Sequence, residues 1–309
     1  MHVFVTGGSG LTGPTVVTEL INAGHTVTGL ARSEESASRL RDLGASTLTG
    51  SLDDLDNLRA GAAAADGVVH MAFGGDFADP DALVRRDVEA IQALCDGLLN
   101  SDATDRPILT TSGTFAMRAG EVSTEQQPAD DNAIAWFRIP GERACLSFAE
   151  RGLRPGVIRL APTVHGPGDH GFIPIMIAAA RRTGVAGYVG DGVRWPAVHR
   201  LDAATLFRLA LEKGLAGGAY HGVAENVELK AVAEAIGETL GLPVRALTSE
   251  QAAEHFGNPF MALMYGTDAP ASSQGTRQTL DWEPTHPTLL DELRAGDYFS
   301  EPDPALPQS

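Results

Sequence analysis

The stretch Val3-Phe4-Val5-Thr6-Gly7-Gly8-Ser9-Gly10-Leu11-Thr12-Gly13-Pro14-Thr15-Val16-Val17-Thr18-Glu19-Leu20-Ile21 carries the decisive pattern. An apolar, β-prone run gives way to a cluster of glycines, after which Val16, Val17, Leu20 and Ile21 recur on one helical stripe. The pattern predicts strand, tight turn, helix. Glycines at 7, 10 and 13 would supply the turn, the close approach of backbone to a pyrophosphate and the close seating of helix on strand. The free N–H groups and positive dipole end of the helix would face the phosphates. A βα turn that binds nothing can also be glycine-rich. Here the strand before and the helix after favour a dinucleotide site with contacts from Gly7, Ser9, Gly10, Leu11 and Gly13.

Working outward, short β-rich runs alternate with helical patterns, the signature of stacked βαβ units. Strands are predicted at 3–6, 25–30, 46–48, 67–71, 108–111 and 156–160, with helices over 34–43, 54–60, 79–100 and 132–151. The implied class is α/β, a Rossmann-type doubly wound parallel sheet with a smaller C-terminal substrate lobe. Residues 1–165 read as the NAD(P)-binding domain, 166–300 as the lobe, partly interleaved with the sheet, and 301–309 as a flexible tail. A strand at 220–223 and a helix at 228–241 could belong to either part. At the end of the second strand stands Leu30-Ala31-Arg32-Ser33, with no carboxylate before Glu34. A carboxylate there would bond the ribose of NAD, whereas an Arg can pair with the 2′-phosphate of NADP. NADP(H) is therefore expected over NAD(H), with Arg32 and Ser33 as contacts. The alternative for Arg32 is a solvated surface side chain.

Composition removes several function classes. The chain has 309 residues and a formal net charge of -17, and its 23 basic residues are 21 Arg and only 2 Lys. Tracking a nucleic acid needs clustered basic residues, so no nucleic-acid partner is expected. Cys95 and Cys145 lie in apolar, helical-looking stretches, as reduced and buried thiols would. The N-terminus has no signal-peptide layout, and no apolar run approaches the ~20 residues of a membrane span. A soluble, cytoplasmic protein with a small-molecule substrate and no membrane partner is expected, a homodimer being one open assembly state.

The Gly7-x-x-Gly10-x-x-Gly13 turn, Thr111-Ser112, the loop Pro162-Thr163-Val164-His165-Gly166-Pro167-Gly168-Asp169 and Val198-His199-Arg200-Leu201-Asp202-Ala203-Ala204 occur in this order. Together they resemble the extended short-chain dehydrogenase/reductase superfamily, and more narrowly an atypical member of its NAD(P)-dependent epimerase/dehydratase-like branch. The resemblance implies an active site of Asn, Ser and a Tyr-x-x-x-Lys pair, in which Tyr handles the proton and Lys lowers its pKa. Matched by position, Ser112 falls at the serine, Asp87 at the asparagine, Arg138 at the tyrosine and Glu142 at the lysine. No realignment restores the pair, because the first tyrosine is Tyr188 and the two lysines are Lys213 and Lys230.

Arg138 and Glu142, at i and i+4 on one helix face, can form an ion pair. Either they form a structural salt bridge in a repurposed site, or Arg138 and Ser112 polarise a substrate oxygen or bind an anionic group while Glu142 orients Arg138 or relays a proton. A guanidinium stabilises an oxyanion but is a poor general acid. His165, His170 and His199 are alternative proton sources, although hydrogen-bonded structural histidines are commoner in such loops. Asp202 is placed to cap the following helix. His165 and His170 flank a Gly-Pro-Gly run without a fitting carboxylate, and no metal is expected.

The resemblance further implies contacts of Ser51 and Leu52 with adenine, of Met71, Ala72 and Phe73 with the cofactor ribose, and of Thr111, Ala161, Pro162, Thr163 and Val164 along the nicotinamide side. His165, Phe172, Met176 and Trp195, with Pro196, are candidates for the substrate wall; the alternative for the apolar ones is lobe core. The expected function is an NADP-dependent oxidoreductase transferring hydride to a small carbonyl or imine. The alternatives are an NAD(P)-dependent sugar epimerase or dehydratase, whose chemistry asks for the absent Tyr and Lys, and a non-catalytic NADP-binding sensor.

Overall fold

Val3, Phe4 and Val5 are wholly buried although consecutive residues of a strand point to opposite faces. Such a strand must be covered on both sides, as in a parallel sheet flanked by helices. The computed structural model describes residues 1–74, 79–100 and 104–299; the tail expected at 301–309 lies outside the described residues. The strands are β1 (His2–Thr6), β2 (Thr26–Ala31), β3 (Ser46–Thr49), β4 (Gly67–His70), β5 (Pro107–Gly113), β6 (Arg154–Leu160), β7 (Thr163–His165), β8 (Ala186–Val189), β9 (Arg194–His199), β10 (Gly218–Gly222), β11 (Glu225–Glu228) and β12 (Val244–Leu247). The helices are α1 (Gly13–Asn22), α2 (Glu34–Asp42), α3 (Leu55–Ala63), α4 (Pro80–Leu99), α5 (Ile139–Ser147), α6 (Phe172–Thr183), α7 (Arg200–Lys213), α8 (Leu229–Leu240), α9 (Ser249–Phe256), α10 (Pro259–Tyr265), α11 (Gln274–Leu280) and α12 (Leu289–Ala295).

Seven strands form one parallel sheet in the order β10-β6-β5-β4-β1-β2-β3. The chain is thus an α/β protein of the Rossmann type. Val3 and Val5 join an apolar cluster with Val16, Val17 and Leu20 of α1 and Leu206 and Phe207 of α7. Phe4 lies in a cluster on the opposite face with Leu58 of α3 and Ile91 and Leu94 of α4. Order reverses beside β1, where β4 lies on one side and β2 on the other, and an open α/β sheet places its ligand crevice at such a switch point.

A third cluster, centred on Ile177 of α6, Trp195 of β9 and Val232 of α8, forms the C-terminal lobe around a three-stranded sheet (β11-β9-β7) and a two-stranded one (β12-β8). The strand at 218–222 joins the main sheet beside β6, whereas α8 packs in the lobe. One segment differs from the sequence expectation. The helix expected over 132–151 is a short 3-10 turn at 136–138, the nine-residue α5, and a second 3-10 turn at 148–151. Pro140 sits in the first turn of α5, where its missing N–H costs nothing, so the α-helix proper starts there.

Candidate active site

Gly10 N–H donates to Gly7 O at 3.0 Å, closing the turn after β1. Gly7 has φ +74°, and a Cβ there would lie 2.5 Å from Ala72 N; one at Gly13 would lie 2.2 Å from Gly7 O. Side chains are thus excluded at both positions by backbone. At Gly10 the added Cβ would meet only Gly7 O, at 3.2 Å, leaving the turn open toward the crevice.

That crevice is a cleft of about 900 Å³, and its walls bring together Gly7, Ser9, Gly10, Leu11, Gly13, Arg32, Ser33, Ser51, Leu52, Met71, Ala72, Phe73 and Thr111. Ala161, Pro162, Thr163 and Val164 do not line it, Leu160 being the last residue of β6 that does. Beside α2, Ser33 caps the helix and exchanges hydrogen bonds with Ser36. Arg32 is exposed and has no hydrogen-bond or ion-pair partner among the described residues, and Arg39 leans on Glu35 at 2.6 Å. Sequence reading missed Ser36, Arg39 and Arg86, all of which line the cleft. Helical spacing could have found two of them, since Ser36 and Arg39 lie about one and two turns on from Arg32 and Ser33. Arg86 lies on α4, where it donates to Asp53 at 2.7 Å and to Gly74 O at 3.1 Å, contacts with no local signature. The cleft and its glycine cradle fit a dinucleotide.

Below the cleft floor, Thr6 Oγ1 meets His70 Nδ1 at 2.7 Å and His70 Nε2 meets Asp87 at 3.2 Å. All three residues are buried. Behind Thr111, the ion pair that i,i+4 spacing allows between Arg138 and Glu142 does not form. Glu142 instead binds the guanidinium of Arg159, with both residues buried and contacts of 2.8 and 3.2 Å. The reason is the register: β6 carries Arg159 under α5, so Glu142 faces the sheet rather than the helix-surface neighbour that i+4 spacing offers. Arg138, partly buried, donates from Nη2 to Thr111 O and lies 3.7 Å over the Phe73 ring. Its Nη1 is sealed from solvent and unpartnered. Burial pushes the guanidinium pKa down, while the fields of Asp87 and Glu142 push it back up. Ser112 is buried, and its Oγ, like Thr114 Oγ1, has no partner.

The histidine loops are tied elsewhere. His165 Nδ1 contacts Glu292 at 2.5 Å, and His199 Nε2 meets the other oxygen at 3.3 Å. Against the cost of its burial, these two bonds hold the Glu292 carboxyl down at about 2. Asp202 does not cap α7. His199 does, accepting from Leu201 N–H through Nδ1, while Asp202 takes N–H bonds from Thr285 and His286. His199, Asp202 and His286 cluster with ligand-type atoms within 4.8 Å, but these atoms are spent tying residues 285–292 to α7. Met176 and Trp195 are buried in the lobe core, and the Trp195 indole donates to Thr267 O. Phe172 packs edge-on against Trp195 with ring centroids 5.1 Å apart. Cys95 and Cys145 are buried free thiols; the Cys145 thiol beside it and burial push the Cys95 thiol well up. No described helix is long and apolar enough to cross a membrane.

A family model for the NAD dependent epimerase/dehydratase family matches residues 3–222. Among curated relatives, "Uncharacterized protein C2A9.02" of Schizosaccharomyces pombe is 45% identical over 302 residues, covering 97% of this chain and 100% of its own. The 4-hydroxy-2-methyl-3-oxo-4-farnesyl-3,4-dihydroquinoline-1-oxide ketoreductase of Stigmatella aurantiaca is 26% identical over 294 residues, 88% of this chain and 84% of its own. Among solved structures, the dTDP-glucose 4,6-dehydratase DesIV of Streptomyces venezuelae, solved with NAD and TYD bound, superposes with a TM-score of 0.76 at 18% identity, covering 97% of each chain.

Proposed function

The chain belongs to the NAD dependent epimerase/dehydratase family, and we propose that within it this protein is an NADP-dependent reductase of a small carbonyl or imine compound. The observation that carries the reading is the set of buried, unpartnered polar atoms beside the cleft: Ser112 Oγ, Thr114 Oγ1 and Arg138 Nη1. Buried polar atoms in folded proteins are nearly all hydrogen-bonded, so a cluster of orphans at the C-terminal end of β5 points to a ligand that satisfies them. The likeness to the Stigmatella ketoreductase supports the direction of the reaction.

NADPH, when bound, supplies hydride. The glycine turn and α1 would hold its pyrophosphate, and Arg32, Ser33, Ser36 and Arg39, which line the cleft, would hold the 2′-phosphate. Ser112 donates to the substrate oxygen, and the charge of Arg138, anchored on the neighbouring Thr111 carbonyl, helps to stabilise the negative charge that develops there. Glu142, committed to Arg159, keeps α5 seated on β6 and so places Arg138. No carboxylate, Tyr or Lys among these groups can strip a proton from a hydroxyl, which argues against an epimerase or dehydratase cycle. The test is oxidation of NADPH and of NADH against a panel of ketones, aldehydes and cyclic imines. Turnover with NADPH that falls about 10²-fold or more in Ser112→Ala is expected. Tight NADPH binding without turnover would favour a sensor, and equal or better use of NADH would overturn the cofactor assignment.

A further inference from the structure

We infer that Arg138 is the receptor for a substrate carboxylate, and that the substrate class is a small 2-oxo carboxylate whose carbonyl lies against Ser112 and Thr114. This inference rests on the reductase reading above and narrows it.

A guanidinium drawn partly out of water, as that of Arg138 is with its Nη1 sealed, is stabilised by a counter-charge in contact. The carboxylates whose fields reach Arg138 are those of Asp87 and Glu142. Asp87 is engaged by His70 at 3.2 Å, and both oxygens of Glu142 are taken by Arg159. Among the described residues no carboxylate lies within 4 Å of the Arg138 guanidinium, the nearest buried ion pair being Glu142–Arg159. One edge of the guanidinium is spent on Thr111 O, one face is covered by the Phe73 ring, and Nη1 is sealed from solvent without a hydrogen-bond partner. A planar fork with a free edge suits a carboxylate better than it suits a single neutral oxygen.

The neighbouring orphans are hydroxyls. Ser112 and Thr114 stand one and three residues beyond the Thr111 carbonyl that anchors Arg138. The anion and the reacting carbonyl must therefore sit close together, as they do in a 2-oxo acid, where one bond separates them. Reduction transfers hydride from NADPH to the carbonyl carbon, and water delivers a proton to the resulting alkoxide, leaving a 2-hydroxy carboxylate and NADP⁺. Arg138 stays protonated throughout. Phe73, which stacks with Phe137 at 5.9 Å between centroids, offers an apolar wall to the rest of the substrate.

The test compares phenylglyoxylate with its neutral methyl ester, which shares the same reacting carbonyl. With NADPH and the native protein, kcat/KM for the acid is expected to exceed that for the ester by about thirtyfold or more, the scale of a lost buried charge partner. In Arg138→Met the acid should lose that advantage while the ester changes less, and Arg138→Lys should keep part of it. A native enzyme that reduces the ester as well as the acid overturns the carboxylate site and leaves the reductase reading standing. If neither compound is reduced, the reductase reading fails for this class, and calorimetric titration of phenylacetate into the NADP⁺-loaded protein decides the site alone. Binding that Arg138→Met weakens at least tenfold supports the site; no binding overturns it. NADP⁺ binding by each variant checks its fold, and Arg138→Gln replaces Arg138→Met should the latter not fold.

Discussion

The cleft wall and the buried segment behind Thr111 use arginine in opposite ways. At the phosphate end, Arg32 stands in solvent with nothing to bind, beside a turn whose shape is set by its own backbone. Behind Thr111, Arg159 is buried and engaged by Glu142, while Arg138 is held by a carbonyl and an aromatic face with Nη1 buried and unpartnered. A guanidinium in water costs little to leave unpaired, so its presence shows only that an anion can be met there. A guanidinium out of water must be matched, so its unmet edge is informative about the ligand. The difference separates a cofactor site built from local turns from a reacting site built from long-range contacts.

The comparison breaks most severely at the Glu142–Arg159 pair. Glu142→Leu should cost about 3–5 kcal/mol in urea unfolding, because it strands a buried guanidinium; an Arg159→Met/Glu142→Leu double variant should recover much of that loss. If the single variant is neutral, Glu142 is not the anchor of α5. At the phosphate end, Gly13→Val places atoms 2.2–2.6 Å from the Gly7 and Gly8 backbone; it should abolish NADPH binding and cost about 3 kcal/mol in the same assay, at the upper end of overpacking effects.

A third test concerns pH. Burial pushes the His221 imidazole down to about 4, despite the nearby Glu125 carboxylate and with the Arg159 charge reinforcing the shift. The unfolded chain, with an ordinary value of 6.5, binds more protons than the folded one between these limits. The contribution of His221 is therefore present in full above pH 6.5 and is lost as pH falls through 4, by up to about 3 kcal/mol. Thermal melts of the native protein and of His221→Gln across pH 7.5 to about 4 should converge toward acid; parallel curves would remove His221 from the explanation. The smallest effect belongs to Arg32→Ala, which should weaken NADPH binding about tenfold to fiftyfold, the scale of a charge-assisted contact, and leave NADH binding nearly unchanged. Equal losses for both cofactors would mean that Arg32 does not meet the 2′-phosphate.

The N-terminal βαβ units were legible because each is short-range. The alternation of apolar runs, the glycine turn and Arg32 at the end of β2 lie within a few residues of the features that give them meaning. The segment around 132–151 was not, since its apolar pattern continues through two 3-10 turns that break the α-helix without changing composition. Glu142 shows the same limit. Its spacing from Arg138 is that of a helical pair, yet its partner is seventeen residues away on β6. His165 is farther still from its partner, Glu292, at a separation of 127 residues, and no local signal announces that contact.

By itself, the amino-acid sequence determined the parallel α/β class, the glycine cradle and the absence of a Tyr-x-x-x-Lys pair, because turns, periodicity and residue counts are properties of neighbouring residues and of composition. Only the tertiary structure decided which carboxylate neutralises which arginine. A buried charge is satisfied by whichever group the sheet register and helix packing bring within hydrogen-bond reach, and that reach spans the chain. Arg138 was visible in the sequence as a substitution; that its guanidinium keeps a buried nitrogen without a partner became visible only once Glu142 had been given to Arg159.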